Sequence, residues 1–149
     1  MNRVLQSPRF RLPGAALMAI IFAAAPVFAD ERIDRSVLGR WQLASVLDYA
    51  DITALDENEA GLLAGKILTI EKDSVQLDKR KCGQSTFRSE RVGRDRELRD
   101  NARVHDTTLG LPDPVDVVEL SCAYLYLKTP NRAVLAWRGV YFDAIRLKR

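Results

Sequence analysis

From Val115 to Leu147 the chain keeps a two-residue period with hardly a break, and this run constrains the fold more than any other feature. Alternate side chains of an extended strand point to opposite faces, so a period of two means sheet rather than helix. Over Val115–Lys128, Val118, Leu120, Cys122, Tyr124 and Tyr126 fall on one face, and Val117, Ala123, Leu125 and Leu127 fall on the other. That is the pattern of one long strand. Pro130-Asn131 turns the chain. Ala133–Trp137 and Val140–Leu147 read as the last two strands, broken at Arg138-Gly139.

Upstream, the same reasoning finds four more strands and one helix. Leu38–Leu47 alternates around Trp41 and Leu43. Asp56 is placed to cap a helix, with Glu59 completing a capping box, and Leu55 and Ala60 sit where a hydrophobic staple belongs. Gly65 is the natural stop. Lys66–Glu71 and Ser74–Leu77 flank Lys72-Asp73 as a hairpin, and Ser85–Val92 alternates weakly. The 93–114 segment has poor periodicity and contains Gly110, Pro112 and Pro114, so it reads as mostly loop, long for a compact domain. The expected fold is mainly β: an antiparallel meander of about seven strands closing into a small barrel, with one short helix after the first strand. Closure would remove exposed strand edges.

The beginning of the chain sets the expected compartment. Residues 1–29 carry Arg3, Arg9 and Arg11, no acidic residue, an apolar run from Gly14 to Ala25, and Val27-Phe28-Ala29 before Asp30. This is the three-part layout of a cleaved secretory signal peptide, and the run is too short for a membrane span. The expected mature protein is one domain over 30–149, periplasmic or secreted, with no transmembrane span. The formal charge of +3 comes from the three leader arginines, so the mature chain is neutral and a general affinity for nucleic acid is not implied. In an oxidising compartment the two cysteines, Cys82 and Cys122, are expected to form a disulfide bond. Closing that loop is worth about 4 kcal/mol by chain entropy.

Gly39-Arg40-Trp41 in the first strand of a small all-β domain resembles the Gly-x-Trp signature of the lipocalins and their fatty-acid-binding relatives, the calycins. The resemblance implies a barrel whose tryptophan, Trp41, closes one end. It further implies that an arginine of the last strand, here Arg146, packs across the indole. A helix directly after the first strand is similar to the fatty-acid-binding branch. Plain core packing is the alternative role for Trp41 and Trp137.

The chemistry is sparse. The 79–103 region holds nine basic residues against Glu90, Asp95, Glu97 and Asp100. It is a candidate contact for an anionic partner, or else a solvated segment whose charges pair locally. Phe87 is its only aromatic residue, which argues against single-stranded nucleic acid. The one histidine, His105, lies beside Asp106 and near Thr107 and Thr108. Adjacent residues in a loop seldom form a working dyad. No nucleophile elbow, phosphate loop, zinc set or dinucleotide fingerprint is present, so no catalytic residue, metal or cofactor is assigned. The expected function is an exported, non-enzymatic β-barrel binding a small ligand or cell-envelope component. Inward positions such as Tyr124 and Tyr126, or their neighbours, would line its cavity. The rivals are a surface-acting inhibitor of a secreted or envelope hydrolase, with the 93–114 loop as contact element, and a hydrolase using His105.

Overall fold

The computed structural model describes residues 32–102, 104 and 106–148. The leader over 1–29, and His105 with it, lie outside the described residues. Among the described residues ten strands form one antiparallel sheet: β1 (Arg32–Ile33), β2 (Gly39–Tyr49), β3 (Ile67–Ile70), β4 (Val75–Leu77), β5 (Arg80–Cys82), β6 (Arg88–Val92), β7 (Val115–Leu120), β8 (Ala123–Thr129), β9 (Arg132–Trp137) and β10 (Val140–Arg146). Their order across the sheet is β1-β6-β7-β8-β9-β10-β2-β3-β4-β5. Helix α1 (Glu57–Leu63) follows β2; α2 (Arg94–Glu97), a π-helical turn over Leu98–Ala102 and α3 (Asp106–Leu109) lie between β6 and β7.

The strand count corrects the expectation of seven, and each extra strand has a local cause. The run over 115–128 is a hairpin rather than one strand, folding at Ser121-Cys122 so that Leu120 pairs with Ala123 and Val118 with Leu125. Neither turn residue is Gly, Asn, Asp or Pro, so the usual turn signal is missing. The turn also regroups the faces. Val118, Leu120, Ala123 and Leu125 share the core, while Val117 and Tyr126 belong to a second cluster on the other side. Strand β5 is three residues of Arg, Lys and Cys with no apolar alternation, reached through Asp78 at φ 53°. Strand β1 has two residues and pairs with β6.

Helix α1 forms as its sequence dictates. The Asp56 carboxylate accepts from the Glu59 amide at 2.8 Å, the Glu59 carboxylate accepts from the Asp56 amide at 3.0 Å, and both Leu55 and Ala60 are buried. Gly65, at φ +83°, ends the helical turn and donates its amide to Leu43 O.

The sheet curls into a half-barrel. Its concave face is filled by Trp41, Leu43, Leu68, Leu77, Leu125, Leu135, Phe142 and their neighbours from β2–β4 and β7–β10. Among the described residues no hydrogen-bonded ladder joins the edge strands β1 and β5. The Cys82–Cys122 disulfide instead ties edge strand β5 to the β7–β8 turn, drawing distant parts of the sheet together around the core. Arg80 and Lys81 line the exposed β5 edge, where charge discourages pairing with another chain.

The 93–114 segment is not mostly loop. Its α2, π-helical and α3 turns lay Leu98, Leu109 and Leu111 on the outer face of the sheet, against Val115, Val117, Tyr126, Val134 and Tyr141. Four-residue turns are too short to show a helical period, which explains their absence from the sequence pattern. The sheet therefore carries two cores, one inside the curl and one outside it.

Candidate functional site

Strand register builds the outer face in rungs. One rung runs Glu119, Tyr124, Ala136, Tyr141 and Asp48 across β7, β8, β9, β10 and β2. The rung beside it runs Glu90, Val117, Tyr126, Val134 and Asp143 from β6 to β10. In the first rung the small side chain of Ala136 stands between two tyrosines, and the dent it leaves is the floor of a groove of about 740 Å³. Tyr124, Tyr126 and Tyr141 all line it.

Two other segments raise the walls. The loop after β2 is zipped to the β9–β10 turn: the Ala50 amide donates to Gly139 O at 2.8 Å and the Ala54 amide to Arg138 O at 2.9 Å. Arg138 and Gly139 both have positive φ, and a Cβ on Gly139 would stand 2.5 Å from Ile52 O, so only glycine allows this approach. The contact holds Ile52 at the groove with 76% of its surface exposed. From the opposite wall α2 delivers Glu97, whose buried carboxylate accepts a hydrogen bond from Tyr126 Oη at 3.2 Å.

Burial and negative charge set the electrostatics of the floor. Burial, then the Glu97 carboxylate, raises the Tyr126 phenol far above the usual range. Tyr141 is pushed up to about 12 by burial, then by Glu97 and Asp48. The two rings lie 6.4 Å apart, tilted by 48°. Asp48 is held by Thr108, whose hydroxyl donates to Oδ2 at 2.7 Å. Further along the face Asp143, also buried, meets Arg132 at 2.6 Å and Lys128 at 3.7 Å. A buried carboxylate needs such partners, because an uncompensated one is costly.

No family model, curated protein or solved structure matches the chain. The lipocalin resemblance therefore rests on Gly39, Trp41 and Arg146 and on a curled antiparallel sheet compatible with a barrel fold. At the residue level, Trp41 is fully buried and its indole donates to Val37 O at 2.9 Å. The Arg146 guanidinium carbon lies 4.6 Å from the ring centroid, and its Nη2 donates to Ser36 O.

The other residues singled out from the sequence fall in separate places. Tyr124 and Tyr126 do come together in one cavity, but it lies outside the curl, because the Ser121-Cys122 turn reverses which residues face the core. The basic 79–103 region is spread over the β4–β5 turn, β5, β6 and the helical segment. It is partly paired: Arg94 with Asp95 at 3.0 Å and Arg96 with Asp100 at 3.7 Å within the region, and Arg91 across the strands with Asp116 of β7 at 3.9 Å. Tyr141, Ala136, Ile52 and Glu97 had no signal of their own. Only the register shows that a small residue separates two tyrosines. Among the described residues no group of three His, Cys, Asp or Glu side chains is placed to hold a metal ion.

Proposed function

We propose that the protein is an exported, non-enzymatic binding protein that holds a small ligand or cell-envelope component in the outer-face groove. The observation that carries this reading is the Ala136 dent, walled by three tyrosines and Ile52, on a sheet whose concave side is already filled with its own side chains. Ligand sites are concave and gather convergent polar groups beside apolar surface, and this groove sets its tyrosines, Ile52 and small apolar residues among charged side chains. Export is supported by the leader pattern over 1–29 and by the disulfide, a bond that persists outside the cytoplasm. Kinship with the lipocalins is supported by the Trp41–Arg146 stack, although the groove lies outside the curl rather than within it. The apolar side chains of the 93–114 segment are turned into the sheet, which favours the groove over that segment as the contact element.

Native mass spectrometry of protein recovered from its own periplasm, beside a denatured aliquot, tests the reading. The expected result is extra mass that is lost on denaturation and is missing from Ala136→Leu, whose longer side chain fills the dent. Equal extra mass on both proteins would place the ligand elsewhere. A bare polypeptide mass on the native protein would overturn a tightly held ligand.

A further inference from the structure

We infer that the groove recognises an organic cation, a primary or quaternary ammonium group carried on a flat or apolar body. This inference rests on the groove being the binding site and names the chemistry that it selects. Tyr124 exposes half of its surface at the floor and presents the accessible ring, with Tyr126 and Tyr141 buried beside it. Tyrosine rings offer electron-rich faces that attract ammonium groups, most strongly where water is thin.

The charges are arranged by depth. The two deep charges are both acidic, Glu97 buried and Glu119 half-buried, while Glu90, Asp100, Arg88 and Arg138 line the groove on exposed residues. Glu119 pairs directly across the strands with Tyr124, which puts a carboxylate beside the exposed ring. Neither Glu119 nor Glu90 has an ion pair among the described residues, while Asp100 is paired with Arg96. A ligand cation would supply the missing opposite charge. Tyr141 is displaced upward by burial first and then by Glu97 and Asp48, in keeping with carboxylates near the floor. Ile52, exposed on the wall, gives the apolar body of such a ligand a surface to cover. An anion would meet a field of its own sign beside Glu97 and Glu119, and a neutral ligand would leave Glu119 with no opposite charge beside it.

The test is an NMR titration of the full mature protein, labelled at the Ile methyl and Tyr ring positions. The probes are choline, benzyltrimethylammonium, the neutral alcohol in which carbon replaces the choline nitrogen, benzenesulfonate and a neutral chito-oligosaccharide. The expected result is saturable shifts of Ile52 and Tyr124 with the two ammonium probes, weakening as salt is added. Tyr124→Ala and Glu119→Gln, both away from the buried core, should each weaken that binding by about two- to thirtyfold. Equal binding of choline and its neutral isostere would overturn the cation selectivity. So would shifts at these residues from the oligosaccharide or benzenesulfonate alone, with groove binding itself left standing. No shift from any probe, together with unchanged native mass in Ala136→Leu, would overturn both readings.

Discussion

Gly139 carries more of the groove than its size suggests. It combines φ +85° with backbone contact to the 50–54 loop, where an added Cβ would collide with Ile52 O. Gly139→Ala should cost more than about 1 kcal/mol and release Ile52 from the wall. A lowered urea midpoint and sharpened Ile52 methyl resonance would register it. Arg146 acts at the other end of the molecule, over Trp41. Its loss in Arg146→Ala should cost about 1–3 kcal/mol, from the ring contact and the hydrogen bond to Ser36 O. Arg146→Lys should recover only part, since an ammonium lacks the planar fork. The buried phenols give a pH signature. Tyr126 and Tyr141 titrate above the free value of about 10, so folding keeps them protonated. Their contribution is intact below pH 10 and is lost as pH rises toward the Tyr141 value of about 12. Phenolate absorbance should show these two tyrosines ionising only as the protein unfolds, with urea midpoints falling above pH 10. Midpoints that stay level across that window would contradict it.

At the scale of elements, the outer helical segment and the disulfide do different jobs. Leu98 and Leu109 are buried under the short turns between β6 and β7, and Leu98 is packed on the second core rather than the first. Leu98→Ala should cost about 2–5 kcal/mol. Its hydrogen exchange should rise first in the 94–111 segment and in the outer positions of β8 and β10, because the segment opens locally. The Cys82–Cys122 bond acts on the whole curl instead. Replacing both cysteines by serine should cost about 4 kcal/mol, read as a drop in urea midpoint with the outer segment opening no earlier than the rest. These elements were unevenly legible. The helix over 57–63 announced itself through Asp56, Glu59 and Gly65, since capping chemistry is local. The Ser121-Cys122 turn did not, because its residues lack the positive-φ preference that marks hairpins. The 94–109 turns were hidden because no single turn is long enough to display a period.

For the whole molecule, the antiparallel β class and the disulfide partners could be read from alternation and cysteine count, both of which depend on residue type alone. The site could not. It is made of residues from β7–β10, the 50–54 loop and α2, and its dent exists only because Ala136 falls between Tyr124 and Tyr141 across three strands. One missed turn was enough to move both tyrosines from the expected interior to the outer face. The filled concave side supplies stability, and the binding proposed above lies on the outer side. Strand β9 separates the two, with Ala133 inside the curl and Ala136 on the groove. The most direct test is alanine-methyl NMR of the protein as an extract of its own cells is added. Shifts at Ala136, with Ala133 and the equally interior Ala144 unmoved, are the predicted result. Shifts at Ala133 and Ala144 with Ala136 unmoved would place the ligand inside the curl and contradict the account.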